Sequence, residues 1–207
     1  MDNQDCRERA SRHTHSKGAI KQITQTWSVM GEAFDLESRY KVIDYLGIKQ
    51  MSILISDWAL GVSLMLTWIL VLGAGAYGVV CAAQDSTENN VVAIKKCKKI
   101  FQSRTLAKRT LRELRLLRLF DHENVVKIKC VLKPLDAESF SEIYVVFEIM
   151  ETDLAQIIRS PQTLKDQHVQ YFTYQLLLAL KYLHAANIVH RDLKWVNLFA
   201  HYVRLTF

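Results

Sequence analysis

Three glycines, Gly73, Gly75 and Gly78, stand in the spacing G-x-G-x-x-G within GAGAYGVVCAA, and they constrain this chain more than any other feature. Without Cβ atoms such a loop lets backbone N–H groups approach a phosphate closely. The residues after the loop narrow the fold. A dinucleotide-binding unit needs a helix directly afterwards and an acidic residue about 20 positions on. Here the β-rich run Val79 to Ala83 comes next, then the polar turn Ser86-Thr87-Glu88-Asn89-Asn90, then a second run from Val91 to Lys96. The pattern predicts a glycine loop between strands and disfavours the dinucleotide fold.

The other periodicities agree with a sheet followed by helices. A strand-like run spans Arg39 to Gly47, with Tyr40, Val42, Ile43, Tyr45 and Leu46. Residues 104–119 read as a helix, with Ala107, Leu111, Leu114 and Leu117 along one stripe. Strands are expected at Val125 to Leu132 and Ile143 to Ile149, separated by a loop around Pro134 to Ser141. A long helix runs from about Leu164 to Ala185, with Val169, Phe172, Leu176, Ala179, Leu180 and Leu183 sharing one face and Thr163 and Asp166 as a capping pair. Strands, one helix, strands, then helices make an α+β order rather than repeated βαβ units.

Composition excludes several classes. Half of the 207 residues are apolar and 23% are charged, which fits a globular protein and not a disordered one. Cys6, Cys81, Cys97 and Cys130 include no C-x-x-C pair and no histidine at ligand spacing, so reduced thiols are expected rather than a disulfide framework or metal site. The net charge of +6 reads as a modestly basic soluble protein, with no nucleic-acid partner expected. Residues 1–38 read as a polar, disordered extension, in which His13 and His15 are solvated and no secretory signal is present. Residues 51–72 are the anomaly: MSILISDWALGVSLMLTWILVL holds one charge, Asp57, and is long enough for a membrane helix of about 20 residues.

Three further elements carry chemistry. Lys95 ends Val92-Ala93-Ile94-Lys95 on the strand after the glycine loop, where its ammonium can meet phosphate, while its neighbour Lys96 reads as solvated. Glu113, on the following helix beside the apolar stripe, is placed to hold that ammonium. Last comes His190-Arg191-Asp192-Leu193-Lys194-Trp195-Val196-Asn197. There Asp192 can accept a hydroxyl proton, Lys194 can neutralise charge on a transferred phosphoryl group, and Asn197 stands at metal-ligand spacing.

Together with AKRTLRELRLLRLFDHENVVKI, IYVVFEIMETDL and HVQYFTYQLLLALKYLHAANIVHRDLK, these motifs resemble the mitogen-activated protein (MAP) kinase family over about 39–47 and 74–197. The resemblance implies an α+β protein-kinase-like fold: an antiparallel N-lobe sheet with one helix over about 39–150, and the beginning of a helical C-lobe over 151–199. Residues 200–207 form a divergent tail. It implies ATP-dependent serine/threonine phosphotransfer with ATP and Mg²⁺ as cofactors, protein substrates and an upstream kinase as partners, and a cytoplasmic or nuclear location. Gly73, Ala74, Gly75, Ala76, Tyr77, Gly78 and Val80 match the nucleotide cover, and Ala93 lines the site beside Lys95. Phe147 matches the gatekeeper, and the backbones of Glu148 and Met150 match the hinge. Asp153 matches a ribose contact, Asn197 a metal ligand, and Asp192, Lys194, Lys95 and Glu113 the catalytic set. Arg112 and Arg191 match arginines that receive a phosphorylated activation loop.

The chain also departs from that family. An insertion over 48–73 splits the first strand from its loop, and Leu46-Gly47 recurs as Leu72-Gly73. It reads as a translated retained intron, for which codons at Gly47 and at Leu72-Gly73 would supply the GT and AG borders, or else as a true insertion. A membrane helix at 51–72 competes with both. Trp195-Val196 replaces Pro-Ser beside Asn197, and no D-F-G triplet occurs, so these residues alone are expected to be inactive. A non-catalytic nucleotide- or partner-binding fragment and a membrane-anchored kinase-like module are the alternatives.

Overall fold

A computed structural model describes residues 24–45, 64–70, 78–134, 140–150, 152–161, 163–193 and 198–204. The strands are β1 (Thr24–Val29), β2 (Glu32–Glu37), β3 (Tyr40–Tyr45), β4 (Leu64–Leu70), β5 (Gly78–Asp85), β6 (Asn90–Cys97), β7 (Ile128–Val131), β8 (Ile143–Glu148), β9 (Thr152–Asp153) and β10 (Leu198–Arg204). The helices are α1 (Arg104–Leu119), α2 (Leu154–Arg159) and α3 (Asp166–Ala185).

Five strands form one antiparallel sheet in the order β3-β5-β6-β8-β7. The β5–β6 turn closes because the Asp85 carboxylate accepts from the Thr87 N–H at 2.9 Å and Asn89 takes the left-handed conformation, φ 52°. Alternation then gives the sheet two apolar faces. On one, Cys81, Ala83, Val92, Ile94 and Val146 pack with Val29, Phe34 and Leu36. On the other, Ile143 and Val145 pack with Leu117, Phe120, Leu154, Phe172 and Leu183.

The first face corrects the expectation of a disordered extension through residue 38. Residues 24–37 fold into the β1–β2 hairpin, turned by Met30 and Gly31 at φ 52° and 75°, the paired positive values of a two-residue hairpin turn. Phe34 and Leu36 are fully buried against the sheet. Residues 1–23, with His13 and His15, lie outside the described residues.

Two helix details refine the sequence reading. Leu111 and Val169, which belong to the apolar stripes of the two helices, are 49% and 51% exposed. Helix α3 starts at Asp166 with Lys165 as its N-cap, where the Lys165 N–H donates to His168 Nδ1 at 3.2 Å, so Thr163 and Asp166 are not its capping pair.

Among the described residues, no helix is long and apolar enough to cross a membrane. The described part of the apolar block is not helical: β4 pairs antiparallel with β10, which also pairs with β9. The remainder of 51–72 lies outside the described residues.

Candidate active site

Strand β6 is the central strand of the sheet, bonded to β5 on one edge and β8 on the other. Lys95 stands opposite Val80 of β5 and Val145 of β8, and Ala93 opposite Ala82 and Phe147. Directly paired residues share a face, as do residues two apart. Gly78, Val80, Ala93, Lys95 and Phe147 therefore lie on one face of the sheet, which is also the face that meets α1.

Helix α1 brings the carboxylate. Its first turn is capped by Ser103, whose Oγ accepts from the Leu106 N–H at 3.1 Å, and Leu117 anchors it in the core. Ten positions beyond the cap, Glu113 presents Oε1 to Lys95 Nζ at 3.0 Å, with the two side chains 29% and 13% exposed. An ammonium held this way projects from a mostly apolar floor, Val80, Ala93 and Val145, with its charge fixed in place. Such a group suits an anion with several oxygens. Burial pushes the nearby Cys97 thiol upward in pKa, a shift that Lys95 partly opposes, so the thiol stays protonated beside the pair.

Lys96 points the other way. It is not solvated: its side chain is 4% exposed, and its ammonium lies 2.7 Å from Glu142 Oε2, donates to the Ala33 carbonyl, and sits 5.7 and 5.6 Å from the Phe34 and Tyr144 ring centroids. The Tyr144 hydroxyl accepts from the Asp35 N–H at 3.1 Å. Lys96 and Tyr144 thus satisfy successive free backbone groups on the outer edge of β2. Burial lowers the Lys96 pKa, but Glu142 and Tyr144 outweigh it and the net shift is upward. The signal for this clasp lies in the period-2 alternation, which turns Lys96 away from Lys95.

Past β8, Glu148 is exposed and Met150 is 8% exposed. Asp153 is buried, and it caps α2: Oδ1 accepts from the Gln156 N–H at 2.9 Å and Oδ2 from its side-chain amide at 3.0 Å. The ribose contact expected of Asp153 therefore competes with a helix cap. Asp192 is exposed on the segment after α3, where its N–H donates to His190 Nδ1 at 3.1 Å. His190 is 9% exposed, and Arg191 between them has φ 65°, a left-handed turn that the His190 contact spans. The buried His190 ring thus holds the Asp192 backbone, a contact that the motif spelling alone does not show.

Gly73, Ala74, Gly75, Ala76 and Tyr77, with Lys194 and Asn197, lie outside the described residues. The ladder nevertheless relates their flanks: Leu70, three residues before Gly73, pairs with Leu198, the residue after Asn197. A cavity of about 170 Å³ lined by Leu154, Ile158, Leu164, Val169, Phe172 and Leu176 lies among the helices and includes none of the expected nucleotide residues. Among the described residues, no group of three His, Cys, Asp or Glu side chains fits a metal held by protein alone.

Residues 67–206 match the family profile of the protein kinase domain. The chain is 57% identical over 127 residues to a mitogen-activated protein kinase homologue of Nicotiana tabacum, covering 61% of this chain and 34% of that protein. It is 58% identical to mitogen-activated protein kinase 5 of Arabidopsis thaliana over 127 residues, with the same coverage of 61% and 34%. It is 56% identical to extracellular signal-regulated kinase 1 of Dictyostelium discoideum over 127 residues, covering 61% of this chain and 24% of that protein. The chain thus spans about a third of the length of the plant relatives.

Proposed function

The chain belongs to the protein kinase family, and we propose that its chemistry is ATP-dependent phosphorylation of protein serine and threonine hydroxyls, in the manner of the mitogen-activated kinases it resembles. The observation that carries this reading is the 3.0 Å Lys95–Glu113 pair, held between β6 and α1 on the face shared with Gly78, Val80, Ala93 and Phe147.

In this reading Lys95 binds the nucleotide phosphates and Glu113 keeps its ammonium from swinging away. Gly78 and Val80 belong to the strand that leaves the glycine loop, and Phe147 closes the deep end of the adenine pocket. Glu148 and Met150 offer hinge backbone groups. Asp192, oriented through His190, accepts the proton of the substrate hydroxyl, and Lys194 balances phosphoryl charge. Such catalysis works by positioning and electrostatic stabilisation. What supports a nucleotide here is the Lys95–Glu113 pair above the apolar face of Val80, Ala93 and Val145. Mg²⁺, which neutralises phosphate charge when bound, would fall to Asn197, and among the described residues no group of three His, Cys, Asp or Glu side chains could hold it without the nucleotide. Protein substrates, an activating upstream kinase and a cytoplasmic or nuclear location are expectations of the same reading.

Residues 1–207 include no D-F-G triplet. The expected behaviour of this polypeptide is nucleotide binding without measurable transfer to a basic protein substrate. Titration with a fluorescent ATP analogue tests the reading. Binding to the wild-type chain should weaken by more than about tenfold in Lys95→Met. Equal affinity in both would overturn it, and Lys95-dependent transfer would overturn the expectation of inactivity.

A further inference from the structure

Helix α1 carries Arg104, Lys108, Arg109, Arg112, Arg115 and Arg118 against one carboxylate, Glu113, which Lys95 engages. At 3.6 residues per turn, Arg104, Lys108, Arg112, Arg115 and Arg118 fall in a stripe about 120° wide and about 21 Å long. All five are exposed. Among the described residues none of them makes an ion pair, whereas Lys95, Lys96, Lys98, Lys127 and Lys129 each do. The first turn contains no acidic residue and begins with Arg104, so a cation sits at the positive end of the helix dipole. Like charges three and four apart repel one another as well. The arrangement is unfavourable in isolation and becomes favourable once negative charge lies along it.

Two leucines refine what that negative charge belongs to. Leu111 and Leu119 are 49% and 75% exposed, and the helical repeat places both inside the basic stripe, two turns apart. A nucleic-acid backbone offers no partner for them. A membrane surface requires a continuous apolar face, and the apolar face of α1 is turned into the core through Leu114, Leu116 and Leu117. We propose that the outer face of α1 is a docking surface for an acidic protein segment carrying apolar side chains about two helical turns apart. Arginine forks pair with carboxylates in a planar, two-bond geometry, and the leucines supply the area that water leaves. Glu113 lies on the opposite side of the helix, so this surface is separate from the Lys95 site.

The test uses the full 207-residue chain and a fluorescein-labelled synthetic peptide of glutamates with leucines two helical turns apart. Parallel arms use phosphatidylserine vesicles and a single-stranded DNA oligonucleotide. Peptide affinity should fall about tenfold in Arg115→Glu/Arg118→Glu and about threefold in Leu111→Ser/Leu119→Ser, with circular dichroism unchanged, and should weaken with added salt. Lys95→Met should leave it unaltered, which separates this surface from the nucleotide reading. Absence of peptide binding, indifference to the arginine or leucine substitutions, or tighter binding of vesicles or oligonucleotide would overturn the proposal.

Discussion

Lys95 and Lys96 are adjacent in sequence and opposite in use. The strand turns Lys95 towards Glu113 and α1, and turns Lys96 into a pocket of Phe34, Tyr144, Glu142 and the Ala33 carbonyl. Replacing them should have different signatures. Lys95→Met should abolish nucleotide affinity while leaving the urea midpoint nearly unchanged. Lys96→Ala should remove the charge-assisted hydrogen bond to the Ala33 carbonyl and lower stability by about 2 kcal/mol in urea melts, with faster hydrogen exchange over 24–37. A third residue-scale effect concerns Cys81, whose thiol burial pushes up to about 12. Between the ordinary thiol pKa of about 8.5 and that value, the unfolded chain loses a proton that the folded chain keeps. Stability should therefore fall as pH rises above about 9, by at most about 1.4 kcal/mol per unit from this group. Chemical denaturation at pH 7 and pH 10 checks the sign, and greater stability at pH 10 would contradict it.

At the scale of elements, α1 couples local chemistry to the site. Ser103→Ala removes its N-cap and should cost about 1 kcal/mol, with a weaker hold on nucleotide because Glu113 rides on the same helix; the urea midpoint and nucleotide titration measure the two effects. The bounds of α1 are legible to the residue, since a serine precedes a strongly periodic run. Strands β5, β6 and β8 are legible within a few residues from alternation and from the turn at Ser86 to Asn89. The β1–β2 hairpin is not. Its turn is Met30-Gly31, and methionine at positive φ is no recognised hairpin signal, while Phe34 and Leu36 are apolar residues among polar neighbours. Nor can Leu64–Leu70 be read as strand, because an uninterrupted apolar run carries no period that separates strand from helix. The α3 cap escapes sequence reading because a lysine backbone bonded to His168 imitates a capping box with residues that do not spell one. For the site, the Lys95–Glu113 pairing follows from motif spacing, while the cap role of Asp153 and the support of Asp192 by His190 depend on backbone geometry that spacing does not encode.

Taken whole, the five-stranded sheet has one face covered by the N-terminal hairpin and the other by α1 and the helical segment. The two covers have distinct work: the hairpin shields Cys81, Val92 and Ile94 from water, while the opposite side forms the floor beneath the proposed phosphates. Phe34→Ala should therefore destabilise by about 3–5 kcal/mol without altering which lysine meets nucleotide, readable from the urea midpoint. The functional reading rests on Lys95, rather than its neighbour Lys96, lying where ATP phosphates bind. An acyl-phosphate derivative of ATP transfers its acyl group to a lysine amine at the bound phosphates, and peptide mass spectrometry then locates the label. Label is expected on Lys95, suppressed by free ATP, with Lys96 unmodified. Label spread over exposed lysines and indifferent to ATP would refute that placement.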